Sequence, residues 1–84
     1  MGLLQGTKLD ILRLLGRGPR HGYAIARELK LTLSTVYEHL KELEDAGLVA
    51  TERRGRRVEN RLTSRGKMLV EALPGHPGSR KRRP

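Results

Sequence analysis

The sequence predicts a mainly α domain with a small β-hairpin, an α+β fold in the order α-α-α-β-β-α with a disordered basic C-terminal tail. Three observations carry this. Apolar residues recur at helical spacing in three segments before Leu48, and Gly, Pro or a short bridge separates them. From Leu48 the spacing shortens to two, on both sides of a single Gly. After Thr63 the helical spacing returns. The 84 residues are one small domain over 1–73, with 74–84 as the tail.

In the first segment, about Leu4 to Leu15, Leu4, Ile11, Leu12 and Leu15 share one face, and Leu9 and Leu14 widen it beyond an ordinary amphipathic stripe. Thr7 and Asp10 have the spacing of a capping box, so the hydrogen-bonded helix is expected to begin near Lys8. Gly16, Gly18 and Pro19 end it. A second helix from about His21 to Lys30 aligns Gly22, Ile25, Ala26 and Leu29. After the bridge Leu31-Thr32-Leu33, a third sets Val36, Leu40, Leu43 and Gly47 on one face and stops at Ala46-Gly47. Leu48, Ala50 and Glu52 then alternate with Val49, Thr51 and Arg53, and Val58, Asn60 and Leu62 alternate with Arg57, Glu59 and Arg61. That is a hairpin whose tip is Arg53-Arg54-Gly55-Arg56-Arg57. The last helix, capped by Thr63, is expected to group Met68, Leu69, Ala72 and Leu73 and to be closed by Pro74. Two Gly, two Pro and Arg80-Lys81-Arg82-Arg83 mark the rest as tail.

Charge is distributed unevenly. Residues 1–48 hold 7 basic and 6 acidic side chains, whereas residues 49–84 hold 11 and 3, so nearly all of the formal +9 lies in the second part. A concentrated positive field attracts polyanions, and 13 Arg against 5 Lys suits bidentate contact with phosphate or guanine. A genome rich in Arg codons is the competing source of that bias. Without Cys there is no disulfide framework, thiolate metal site or thiol nucleophile. The longest apolar runs, such as Leu48-Val49-Ala50, fall far short of a bilayer span of about 20 residues. Met1 to Leu15, interrupted by Gln5, Lys8, Asp10 and Arg13, does not read as a signal peptide, and a cytoplasmic, nucleoid-associated location is expected. His39 and Glu42 are the only possible metal pair, and the carboxylates Glu42, Glu44 and Asp45 have no patterned nucleophile near them. No enzyme activity, metal or cofactor is expected.

Helix, helix-turn-helix, hairpin and closing helix is the order of a winged helix-turn-helix DNA-binding domain. With Val36, Leu40 and Leu43 inward, the third helix turns Ser34, Tyr37, Glu38, Lys41 and Asp45 outward, flanked by Thr35 and Glu42. Ser34 and Thr35 can donate to phosphate or a base edge, Tyr37 can reach phosphate or a thymine methyl, and Lys41 can pair with phosphate or guanine. Ser34 or Thr35 is equally suited to cap the helix. Thr35 and Glu38 have capping-box spacing, and the other role open to Glu38 is accepting from a cytosine amino group. Arg53, Arg54, Arg56 and Arg57 form a wing that reaches the phosphates beside a minor groove. Arg61, Arg65 and Lys67 extend the strip, and Arg80, Lys81, Arg82 and Arg83 add a flexible arm. Six such contacts give a log–log salt slope of about −5, and removing residues 75–84 reduces it by about 2–3. Double-stranded DNA is the expected partner, because Tyr23 and Tyr37 alone supply no stacking platform for single strands.

The residues also resemble a known family. Leu4-Gln5-Gly6-Thr7 with Leu9, Ile11 and Leu12, the stretch Gly18-Pro19-Arg20-His21-Gly22-Tyr23-Ala24-Ile25, Val36-Tyr37 with Leu40, Leu43, Glu44, Gly47 and Leu48, and Arg61-Leu62-Thr63-Ser64-Arg65-Gly66 are similar to the PadR transcriptional regulators. The resemblance spans about residues 3–73 and implies a repressor that occludes an operator as a dimer. In that family the C-terminal arm carries the dimer and often a nearby site for phenolic or drug-like ligands, and for this chain the effector is left open. Three departures stand out: a short link between the second and third helices, Glu38 where that family commonly has Pro, and no counterpart of its long C-terminal dimerisation helix. A dimer would then use another surface, and the wide apolar face of the first helix, with Leu3, Leu4, Leu9 and Leu14, is the candidate. Truncation of a longer protein is the competing explanation. A DNA-coating or DNA-bending accessory protein with little sequence choice is the alternative to a repressor.

Overall fold

The computed structural model describes residues 6–73. The chain runs α1 (Thr7–Leu15), β1 (Arg20–His21), α2 (Gly22–Leu29), α3 (Leu33–Asp45), β2 (Val49–Arg54), β3 (Arg57–Leu62) and α4 (Ser64–Ala72). The helices and the hairpin follow the expected order. One element is added: β1 pairs antiparallel with β3, Arg20 opposite Asn60 and His21 opposite Glu59, and makes a three-stranded sheet of order β1-β3-β2. Two residues show no periodicity of their own, and only the free edge of β3 makes them a strand.

The core is a continuous cluster in which Ile11, Leu12, Ile25, Val36 and Leu43 are almost wholly enclosed. Helix α1 packs against α2, α3, α4 and β3, so it is a central element. That explains its wide apolar face. Leu14, expected on a dimer surface, is only 7% exposed and belongs to the core, Leu9 is half-buried, and Leu3 and Leu4 lie outside the described residues. The α1 start also differs from expectation, for Gly6 is the N-cap and no side chain caps it, so Thr7 and Asp10 do not form the box.

Caps and turns place the remaining elements. Helix α2 ends at Lys30 in the left-handed conformation, where the Leu31 amide donates to the Ala26 carbonyl at 2.9 Å. Thr32, not Ser34 or Thr35, caps α3, its hydroxyl oxygen accepting from the Thr35 amide at 3.2 Å. Ser34 is thereby freed. At the far end of α3 the Leu48 amide donates to the Leu43 carbonyl at 2.9 Å and the chain turns into β2. Thr63 caps α4 as expected, accepting from the Gly66 amide at 3.0 Å, while its hydroxyl donates to the Gly47 carbonyl at 2.7 Å and its amide to the Leu48 carbonyl at 3.0 Å. One residue therefore ties the start of α4 to the turn after α3.

The inward face of α4 is not the expected one. Gly66, Val70 and part of Leu69 face the core, Ala72 is exposed, and Met68 is 68% exposed. Gly66 lies directly on the Leu48 backbone carbonyl, with no room for a Cβ. That contact sets the rotation of the helix, and the residues three and four further on follow Gly66 inward.

In the sheet, Asn60 is the one buried polar residue among those described, 2% exposed at the centre of β3. Its side-chain amide donates to the Arg20 carbonyl and its oxygen accepts from the Thr51 hydroxyl, both at 3.2 Å, so a single side chain bridges all three strands. Replacement by Ala removes both bonds at once and leaves the Arg20 carbonyl without its side-chain donor at the centre of the sheet. Asn60→Ala is expected to lower the unfolding free energy by about 2 kcal/mol in urea titration, and Thr51→Val by less, because Thr51 is open to water. Equal losses would show that the bridge to Arg20 adds nothing.

Helices α1 and α3 are also linked by an ion pair, Lys8 Nζ to Glu42 Oε1 at 2.6 Å. The hydrogen bond and charge of Lys8 hold the Glu42 carboxyl below its ordinary value of 4.5. A depressed folded pKa means a contribution fully present above the unfolded value and lost as pH falls through the lower, folded one. Below pH ~4.5 the urea midpoint should therefore fall more steeply for the wild type than for Glu42→Gln, most clearly at low salt. Parallel curves would show that the pair contributes no stability.

Candidate nucleic-acid interface

The outer face of α3 and the hairpin tip are the two features that the sequence singles out, and the fold brings them to neighbouring positions. With Val36, Leu40 and Leu43 buried, Ser34, Tyr37, Glu38 and Lys41 are exposed and Thr35 is half-buried. Tyr37 is 50% exposed. Its ring rests on Gly22 at the start of α2, where an added Cβ would stand 2.7 Å from Cε1. Gly22 is thus the footing on which the Tyr37 ring is held, a role that its place in a helical pattern did not show. Next to it, His21 Nδ1 lies 3.2 Å from the Val58 carbonyl oxygen and braces the start of α2 against β3.

The hairpin closes with a two-residue turn, Gly55-Arg56, between Arg54 and Arg57. Gly55 has φ +63 at the first turn position, the arrangement that a tight hairpin turn of this length reserves for glycine. Register then sorts the arginines. Arg53 pairs with Val58 on the sheet face that carries Thr51 and Asn60 and packs toward α3, whereas Arg54 and Arg57 oppose each other on the reverse face with the Glu52–Glu59 pair. All four tip arginines are exposed. A shallow groove of about 290 Å³ runs between α3 and the sheet, lined by Tyr37, Lys41, Thr51 and Val58, the last of which pairs with Arg53.

The other sequence candidates lie elsewhere. Arg61 sits three pairs below the tip, opposite Ala50, with its guanidinium 4.0 Å from Glu52. The Arg65 side chain lies beside Gly47, at the turn after α3. Arg80, Lys81, Arg82 and Arg83 lie outside the described residues. Among the described residues no three His, Asp or Glu side chains stand together as a metal site, and Glu42 is taken by Lys8. No helix among the described residues is long and apolar enough to cross a membrane.

Electrostatics divides the labour between the two features. Helix α3 carries Lys41 against Glu38, Glu42, Glu44 and Asp45, so it is acidic as a whole and offers little attraction to phosphate. The hairpin tip carries four exposed arginines, whereas α3 presents hydroxyl, phenol and ammonium groups.

Known proteins share this arrangement. The family model of bacterial regulatory proteins of the arsR family matches residues 5–51, more than half of the chain. The chain belongs to the ArsR family. Across 45 residues it is 42% identical to an uncharacterized HTH-type transcriptional regulator of Methanocaldococcus jannaschii, covering 54% of this chain and 47% of that protein. This ArsR-family chain therefore spans about half the length of that curated relative. Among solved structures it is similar to the homodimeric winged helix-turn-helix DNA-binding domain of a possible ArsR-family transcriptional regulator of Mycobacterium bovis, with 35% identity, a TM-score of 0.75, and 81% of this chain and 64% of that one covered. ZitR of Lactococcus lactis in apo form superposes with a TM-score of 0.77 and 28% identity over 81% of this chain and 54% of its own. Reduced HlyU of Vibrio cholerae gives 0.75 and 26% over 82% and 74%. The ArsR assignment and the winged helix-turn-helix fold agree with each other, and the PadR resemblance is a finer reading than these matches carry.

Proposed function

We propose that this ArsR-family chain binds double-stranded DNA with sequence preference, as a homodimer, and represses transcription in the cytoplasm by covering its operator. The observation that carries the reading is the pairing of an exposed α3 face, with Ser34, Tyr37 and Lys41, with four exposed arginines on a tight hairpin beside it. In this reading Tyr37 and Lys41 read the major groove, with Ser34 and Thr35 on the adjacent phosphates and Glu38 facing a cytosine amino group. Arg53, Arg54, Arg56 and Arg57 follow the backbone into the neighbouring minor groove. The homodimeric state of the M. bovis domain supports a two-fold complex on two half-sites. Within the winged-helix regulators, the stretch from Gly18 to Ile25 and its contact with Tyr37 support a PadR-like mode of action.

Fluorescence anisotropy with a duplex from upstream of the chain's own gene and a shuffled duplex, at two salt concentrations, tests the reading. A preference of about 10³-fold or more that survives the higher salt is expected. Equal and steeply salt-sensitive binding to both duplexes would overturn it in favour of a DNA-coating or DNA-bending role.

A further inference from the structure

The Tyr37 ring, half exposed on α3, is placed by a residue of another helix. The point that a Cβ would take on Gly22 lies 2.7 Å from Tyr37 Cε1 and 3.2 Å from both Cζ and the hydroxyl oxygen. The contact therefore runs along one edge of the ring as far as its hydroxyl. Only a residue without a side chain admits that approach. Backbone conformation does not demand glycine here: Gly22 is not among the glycines with positive φ, and as the first residue of α2 it holds a conformation open to alanine.

The backbone at Gly22 is held from both sides. The two residues before it form β1 and pair with Asn60 and Glu59 of β3. There the Arg20 carbonyl accepts from the Asn60 side-chain amide at 3.2 Å, and His21 Nδ1 lies 3.2 Å from the Val58 carbonyl oxygen. Beyond Gly22, Ile25 and Ala26 anchor α2 in the core. Tyr37, by contrast, is the end of a side chain with half of its surface open to solvent. A methyl group placed on Gly22 therefore displaces the ring and leaves the backbone where it is. At Gly66 the same methyl meets a backbone carbonyl, so the two glycines respond to it in opposite ways.

We propose that Gly22 is a positioning residue for sequence readout: the Cβ it lacks leaves the seat in which the edge of the Tyr37 ring lies, and that seating sets which bases the chain prefers. This role rests on the DNA-binding reading of α3 and assigns part of the preference to a buried residue of a different helix. Magnitudes support it. An ordinary contact between carbons is about 3.5–4.0 Å, so a Cβ at 2.7 Å drives the ring outward by roughly 1 Å. Specific recognition tolerates errors of only about 0.5 Å in its reading groups. The arginines of the hairpin tip do not lie against Gly22, and contact with phosphate is left as it was.

The test uses the full chain and a duplex that the wild type selects from a random-sequence library, beside its shuffled counterpart, in fluorescence anisotropy at several salt concentrations. Gly22→Ala should cut the preference for the selected duplex by about tenfold, while affinity for the shuffled duplex stays within about twofold and the salt slope is unchanged. Tyr37→Ala should cut the preference at least as far. Adding Gly22→Ala to Tyr37→Ala should change it no further, because the ring through which Gly22 acts is gone. The melting temperature of Gly22→Ala should stay within about 4 °C of the wild type. A larger fall would show that the backbone yields instead of the ring, and would overturn the proposal. So would a preference that survives in Gly22→Ala, an equal loss on both duplexes, or a further loss in the double variant, each of which leaves the DNA-binding reading standing. A wild type that selects no duplex would overturn both.

Discussion

Gly66→Ala is expected to destabilise the domain by about 3 kcal/mol or more, and so to lower the melting temperature by at least about 12 °C. The added methyl meets the Leu48 backbone carbonyl, and a backbone group cannot swing aside as a side-chain tip can. That carbonyl is held in place because it accepts from the Thr63 amide, and the Thr63 hydroxyl in turn is bound to both Gly47 and Gly66. Relief therefore requires α4 to lift from the turn after α3, which uncovers Val70 and the edge of Leu62. For a chain of 84 residues, whose whole stability is on the order of 4–13 kcal/mol, such a loss brings part of the population to the unfolded state at moderate temperature. Differential scanning calorimetry of Gly66→Ala beside Lys67→Ala, an exposed neighbour expected to stay within about 0.5 kcal/mol of wild type, makes the comparison. A cost below about 1 kcal/mol for Gly66→Ala would show that α4 is not pinned at this point.

The second large effect concerns DNA. Converting Arg53, Arg54, Arg56 and Arg57 together to Gln should flatten the log–log salt slope by about 3–4 and weaken binding by three orders of magnitude or so near 0.1 M salt. The size follows from the division of charge described above. Helix α3 is acidic, Arg61 is drawn toward Glu52 and Arg65 lies against Gly47, so within the described residues the tip is the main concentrated source of positive charge near the α3 face. Because all four side chains are exposed, the melting temperature should hardly move. An unchanged slope would place the phosphate contacts elsewhere and remove the wing from the interface.

How much of this was legible in the sequence depends on the distance over which each feature is determined. Helical spacing located α1 to α4, and alternation on either side of Gly55 located the hairpin, because those signals are written within a dozen residues. Thr63 was readable as a cap for the same reason. The strand Arg20–His21 was not, since a two-residue strand exists only by virtue of β3, some 40 residues further on. The face of α4 is not legible either, because hydrophobicity favours Met68 whereas a backbone contact at Gly66 decides the rotation. Leu14 reads as partner surface in the sequence because one helix cannot reveal how many neighbours surround it. In the candidate site, the exposed residues of α3 and the arginine tip were readable, but the footing of Tyr37 on Gly22 joins residues 15 apart on different helices.

The two-residue turn at Gly55-Arg56 restricts how this domain can diverge. Side chains in a strand alternate, so one residue inserted into a single arm of the hairpin would send Asn60 and Leu62 to the reverse face unless a bulge absorbed it. An insertion shared by both arms, one residue in each, leaves every pair below it in place. Descendants of this chain should therefore vary their wings in steps of two, and the arginine facing α3 will alternate in identity as the arms grow.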